Sequence, residues 1–313
     1  MTPELLERLA CPACRGPLRL EEGGNGTPQA GSLVCACAKR FPIRQGIPRF
    51  VGGDGYAQNF SFEWTRFSRT QLDSANGRSE SAERFAQSLN FPLEELRGAW
   101  VLDAGCGMGR FVEVALQAGA RVVGMDLSFA VDAAAANLRR FPNAHWVQAD
   151  LFAPPFRDGA FDFVYSLGVL HHTPEPRRAF EGLVRLVRPG GRISITLYSG
   201  YNTVYVRSTN AWRRLTTRLP MPVLYGMSHL AVPYYHLCRL PVLGLGFQAL
   251  WPISMHRSRQ WRVLDTFDCY SPRYQSYHTH PEVFDWFAAT GLTDVAVLKP
   301  GISLIGTRPC TSA

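Results

Sequence analysis

The stretch VLDAGCGMGRF, residues 101–111, runs apolar up to an acid, Asp103, and then places glycines at 105, 107 and 109 before a helical pattern resumes. Such an order describes a buried strand that turns sharply into a helix. Glycine suits the turn because it takes backbone conformations that a Cβ forbids and lets a ligand approach the chain, while the helix start offers free N–H groups. Hydride-transfer dinucleotide sites space their glycines as GxGxxG; the GxGxG spacing here, with an acid two residues before the first glycine, departs from that fingerprint.

Outward from this loop the same rhythm repeats. RVVGMD (121–126), HWVQAD (145–150), FDFVYS (161–166) and RISITLY (192–198) read as strands. Residues 110–118, 128–140 and 175–187 read as helices, the second capped by Ser128, and Pro189–Gly191 as a turn. Later a helix over 281–290 precedes TDVAVLK (293–299) and ISLIGTR (302–308), a hairpin about Pro300 and Gly301. Short apolar strands alternating with helices predict an α/β fold: a doubly wound, mostly parallel seven-stranded sheet, with its ligand beyond the C-terminal strand ends. Asp103, Asp126 and Asp150 fall at three strand ends. One acid there could cap a helix; three in succession point to a site. Asp126, followed by Leu127 and Ser128, is suited to accept two ribose hydroxyls, and Asp150 with Leu151 to meet an adenine ring.

At 313 residues, 46% hydrophobic and 19% charged, the chain is long enough for one large domain and one small one. Its net charge of +8 is uneven: residues 201–313 carry +6, and lysine occurs only at 39 and 299. Residues 201–264 hold eight arginines, nine aromatics and no Asp or Glu, and read as a helical lid inserted after the fifth strand. The predicted organisation is a small module over 1–52, a helical linker or cap over 53–99, a core over 100–200, the basic aromatic insertion over 201–264, and a C-terminal part of the core over 265–313. The first ten residues contain Glu4, Glu7 and Arg8 instead of a basic start followed by an apolar run, so no secretory signal is read and the cytoplasm is the expected location.

The phrases LDAGCGMGRF, VVGMDLS, QADLFAPPFRDGAFDFVYSLGVLHH and RLVRPGGRISI together make residues 100–198 resemble the class I S-adenosylmethionine-dependent methyltransferases, most closely the ubiquinone and menaquinone biosynthesis group. The resemblance implies that Gly105 and Gly107 face the methionine part of that cofactor, that Asp126 holds its ribose, and that Ser166, Leu167 and the residues up to Val169 line the methyl-donor side. Asp103, Cys106, Gly109 and Arg110 complete the expected cofactor set, Cys106 as a small packing residue and not a nucleophile.

Near the N-terminus, CPAC (11–14) and CAC (35–37) offer four thiolates in two knuckles, with the polar stretch 21–32 between them read as a loop. Clustered cysteines in a reducing compartment favour metal over cystine, and Cys11, Cys14, Cys35 and Cys37 could close a tetrahedral structural Zn²⁺ site. The phrase FPIRQGIPRFV (41–51) resembles the small zinc-ribbon protein that activates several methyltransferases, here fused in front of the core. CxC in place of a second CxxC departs from the usual pattern.

Acceptor-site candidates follow the fourth strand at His171 and His172, and cluster in DTFDCYSPRYQSYHTHPEVFDWF (265–287), from which Asp268, Tyr270 and His278 are taken with His171 as the catalytic set. The expected acceptor is a small molecule. The insertion admits three roles: a lid whose arginines pair with an anionic acceptor, a membrane-surface element over 221–253, or a nucleic-acid surface. The competing functions are an RNA methyltransferase, because some of those also place a zinc ribbon before this fold, and a non-catalytic, cofactor-stabilised binder of a protein partner.

Overall fold

A computed structural model describes residues 1–22 and 30–310. Thr2 accepts the Leu5 N–H and caps α1 (Pro3–Arg8). Four strands, β1 (Leu18–Glu22), β2 (Ala30–Cys35), β3 (Arg40–Arg44) and β4 (Ile47–Pro48), follow in an antiparallel sheet in chain order. The loop expected over 21–32 is shorter than its composition suggests, because Glu21 pairs with Ser32 and Glu22 with Gly31; residues 23–29 lie outside the described residues. Polar side chains on a solvated face do not prevent backbone pairing.

Helices α2 (Gln58–Arg66), α3 (Asp73–Asn76) and α4 (Glu80–Gln87) lead into the core. There β5 (Trp100–Ala104), α5 (Arg110–Gln117), β6 (Arg121–Asp126), α6 (Ala130–Asn137), β7 (Ala144–Gln148), β8 (Phe161–Leu167), α7 (Pro176–Val184) and β9 (Val187–Leu197) alternate as predicted. Five helices come next: α8 (Thr203–Thr216), α9 (Met221–Ser228), α10 (Ala231–Cys238), α11 (Leu243–Leu250) and α12 (Arg259–Tyr270). The chain closes with α13 (His280–Ala289) and the hairpin β10 (Thr293–Leu298) and β11 (Ile302–Thr307).

The seven-stranded sheet has the order β10-β11-β9-β8-β5-β6-β7, with β5, β6, β7, β8 and β9 parallel, β11 antiparallel to β9, and β10, antiparallel to β11, running in the direction of the other five. Strand order therefore reverses between β5 and β8, and the cleft opens beyond their C-terminal ends. Two local expectations are corrected. α6 starts at Ala130 because Ser128 gives its hydroxyl to Asp126 and only weakly accepts the Ala130 N–H at 3.2 Å. Pro189–Gly191 lies inside β9, with Gly190 at φ +75 and a register shift against β8.

The N-terminal sheet is not a separate bead. Leu9, Cys11, Leu33 and Ile43 belong to the same apolar cluster as Val123, Val147, Phe156 and Phe161 of the core. Arg49 pairs with Asp132 and donates to Gln148 Oε1 at 3.1 Å, while the Phe50 N–H donates to the Gln148 carbonyl, which covers the outer edge of β7. No helix among the described residues is long and apolar enough to cross a membrane.

Candidate active site

A cavity of about 420 Å³ opens at the strand-order reversal. One end is built by the glycine loop. Gly105 (φ +96), Gly107 (φ +50) and Gly109 (φ +93) all adopt the left-handed region. A Cβ on Gly105 would fall 2.3 Å from Val169 Cγ1, so this glycine lets the loop after β8 close against the loop after β5. Asp126 at the end of β6 accepts the Gly107 N–H at 2.8 Å, the Ser128 N–H at 2.8 Å and the Ser128 hydroxyl at 2.6 Å. Burial raises its pKa, these donors offset part of the rise, and they orient the carboxyl at the cavity wall. Cys106, Leu127, Leu151 and Leu167 line the cavity too, as does Arg110, whose guanidinium lies over Trp261 and near Asp265.

The other end is acidic. Glu63 from α2 and Asp265 and Asp268 from α12 all line it, with Tyr198 donating to Asp268 at 3.0 Å and Ser254 donating to Asp265 at 3.0 Å. Glu63 is 1% exposed and its Oε2 has no partner. Burial, with Asp268 and Asp265 nearby, pushes its carboxyl well above the usual range; burial and Asp268 push Asp265 up to about 6.

His172 lines this end too. Its Nδ1 lies 3.1 Å from the Tyr274 carbonyl, which only accepts, so the proton sits on Nδ1 and the lone pair on an unpartnered Nε2. Burial lowers its pKa and keeps the ring neutral at pH 7.

Several residues singled out from sequence do not reach the cavity wall. Asp103 is buried inside β5, where burial pushes its carboxyl well up. Gly109 faces α6, where a Cβ would come 2.9 Å from Leu138. Ser128 is spent on Asp126, and Ser166 donates to the Ala104 carbonyl at 2.7 Å, tying β8 to β5. Asp150 accepts from the Phe152 N–H and from Tyr56, which itself lines the cavity.

Among the catalytic candidates, only Asp268 faces the cavity. His171 is fully buried against Tyr198, Tyr270 donates inward to the Pro252 carbonyl at 2.6 Å, and His278 lies between Ser276 and Glu282. The wall that sequence reasoning missed comes from residues 56–84: Tyr56, Phe60, Glu63, Trp64, Gln71 and Arg84. One signal was present, a lone acid inside the aromatic run FSFEW.

The insertion covers the cavity through Tyr205, Pro252, Ile253, Ser254, Trp261 and Leu264, yet none of its eight arginines lines it. The expectation that those arginines grip an anionic acceptor is therefore corrected. Arg213 donates to the Cys269 and Pro272 carbonyls, and Arg262 to those of His256 and Arg257.

In the N-terminal sheet the sulfurs of Cys11, Cys14, Cys35 and Cys37 lie within 4.8 Å of one another. The short contacts run between the knuckles, Cys11 to Cys37 at 3.7 Å and Cys14 to Cys35 at 3.3 Å. Four sulfurs about 2.3 Å from one tetrahedral zinc would stand about 3.8 Å apart, so the cluster fits that ion despite the tighter CxC knuckle. Gly16 packs closely beside it: a Cβ there would sit 3.3 Å from the Cys14 sulfur, a tight approach.

Strand order, glycine loop and the acid ending β6 define the fold: a mostly parallel seven-stranded sheet of the class I methyltransferase type, preceded by a small zinc-ribbon-like sheet. More narrowly, residues 102–195 match the family described as methyltransferase domain, and residues 2–46 match the family described as Trm112p-like protein. A malonyl-[acyl-carrier protein] O-methyltransferase of Pseudescherichia vulneris is 34% identical over 134 residues, 43% of this chain and 52% of that protein. A ubiquinone biosynthesis O-methyltransferase of Aromatoleum aromaticum is 38% identical over 103 residues, 31% of this chain and 43% of that one. The chain thus spans about half the length of the curated relatives it matches. A Rhodobacter sphaeroides structure provisionally named a Zn-dependent alcohol dehydrogenase superposes with TM-score 0.51 at 15% identity, covering 84% of this chain and 100% of that one; the likeness is one of fold alone.

Proposed function

We propose that this chain transfers the methyl group of S-adenosylmethionine to an oxygen of a small-molecule acceptor, and that Zn²⁺ fastens its N-terminal ribbon. The observation that carries the proposal is one cavity lined both by a glycine loop braced by the Asp126 carboxylate and by three carboxyl groups, Glu63, Asp265 and Asp268, together with His172, whose Nε2 has no partner. Oxygen is favoured because the relatives quoted above are named O-methyltransferases. Eight cysteines, none bonded to another, suit a reducing compartment such as the cytoplasm.

In this proposal Gly105, Gly107 and Asp126 would hold the cofactor, with Leu127 and Leu151 against its base. Bound S-adenosylmethionine supplies an electrophilic methyl on a sulfonium. Glu63, Asp265 and Asp268 accept hydrogen bonds from the acceptor and orient it. His172 Nε2 takes the proton that leaves the acceptor hydroxyl, a task its fixed tautomer and lowered pKa suit. Residues 252–254 and α12 keep water out.

Calorimetry tests the first half. S-adenosylmethionine and its demethylated product are expected to bind, and Asp126→Ala to weaken both by about 100-fold, the loss of about two charged hydrogen bonds. Binding of a nicotinamide dinucleotide with neither nucleoside bound would reject the proposal. For the acceptor, labelled cofactor is incubated with fractionated metabolites and with RNA in parallel. Label in RNA alone would overturn the small-molecule acceptor.

A further inference from the structure

Of the sixteen large apolar side chains exposed on the described residues, twelve fall within residues 201–255. They are densest at the turn from α10 into α11, where Leu237, Leu240, Val242, Leu243 and Leu245 stand open within nine residues. Val242 is 85% exposed, Leu245 80% and Leu243 64%. A folded chain rarely leaves so continuous an apolar surface to water without a partner.

The charge around it is as one-sided. No Asp or Glu occurs from 201 to 264. Arg207, Arg214, Arg218, Arg239, Arg257 and Arg259 are exposed, and none of them enters an ion pair among the described residues, whereas ten arginines elsewhere do. We propose that the insertion seats the turn between α10 and α11 in the surface of an anionic phospholipid bilayer, with these arginines against lipid phosphates.

The geometry selects that occupant over others. α10 and α11 have eight residues each, about 12 Å, far short of a bilayer's apolar thickness, so the element lies in the interface and does not span it. A nucleic acid would need outward aromatics to stack on. Here Trp212 and Tyr225 pack toward Phe267 and Tyr270, Phe247 and Trp251 toward Ile253, and the exposed Tyr201 stacks on His280, so the turn itself presents leucine and valine. A second copy of this chain would bring like charges together. Because α11 leads directly into Pro252–Ser254, docking and access to the cavity belong to one continuous segment.

Flotation of the full chain with vesicles tests the assignment independently of methyl transfer. Partition is expected to be about tenfold or more stronger onto mixed phosphatidylglycerol and phosphatidylcholine vesicles than onto phosphatidylcholine alone, and to weaken with salt. The exposed double variant L243E/L245E should lose about tenfold or more of that partition while its melting temperature and its calorimetric binding of S-adenosylmethionine stay as in the parent. Equal partition onto both vesicles, no partition onto either, or undiminished flotation of L243E/L245E would overturn the proposal. So would capture of polyuridylate by a chain that ignores the anionic vesicles.

Discussion

Asp265 is held among Glu63, Asp268 and Ser254 where burial outweighs its donors, and its carboxyl sits near 6. An acid whose pKa is raised on folding binds more protons folded than unfolded, so its favourable contribution is complete below about pH 4 and is lost as the pH rises through 6. Asp265→Asn is therefore expected to be more stable than the parent at pH 7.5, by about 1–3 kcal/mol, and no more stable at pH 4. Urea unfolding at the two pH values measures this; a pH-independent difference would contradict the assigned burial. His172 follows the opposite sign. Burial depresses it, so the base is free above its lowered pKa and the acidic limb of the kcat profile should lie below pH 6.5. His172→Ala should cut kcat by about 10²–10⁴-fold and leave cofactor affinity unchanged. A drop confined to KM would point to packing instead.

At the scale of elements, two loops depend on one another. Gly105 combines φ +96 with a Cβ position 2.3 Å from Val169 Cγ1, so Gly105→Ala meets backbone strain and a clash at once. The expected cost is about 2–5 kcal/mol, part from the left-handed conformation and part from overpacking. Adding Val169→Ala should return the overpacking share and leave the backbone share, a coupling that a double-mutant cycle of thermal unfolding reads directly. Additive effects would mean that the loops do not touch. On the opposite wall, α2 contributes Glu63 from a helix whose Asn59 and Glu63 are both buried, an inversion of the usual amphipathic order that only its partner α12 explains.

For the molecule as a whole, the ribbon and the core share one apolar cluster, joined by Arg15 to the Phe156 carbonyl and Asp158 and by Arg49 to Asp132. Metal loss from the four sulfurs should therefore be felt beyond the ribbon. Metal analysis is expected to find close to one zinc per chain, and either Cys14→Ser or a chelator to remove it and lower the melting temperature by about 4–10 °C. A metal-free chain with an unchanged melting temperature would leave the sulfur cluster without that role.

The sheet, its hairpin and the glycine loop were legible in the residues because each depends on short-range chemistry. Alternation of apolar strands with helices, and glycines where φ must turn positive, are properties of neighbours in the chain. Asp126 was legible for the same reason, directly following the apolar run of its own strand. The acceptor end was not. His171 and His172 are adjacent and chemically identical, yet only His172 lines the cavity, and the Tyr274 carbonyl, about a hundred residues away, determines which of its nitrogens stays without a partner. Glu63 and Asp265 are about two hundred residues apart, and Tyr270, promising in a polar aromatic run, turns inward to the Pro252 carbonyl while Asp265 and Asp268 of the same helix line the cavity. Where a side chain ends up facing is set by packing between distant elements, and no local pattern carries that information.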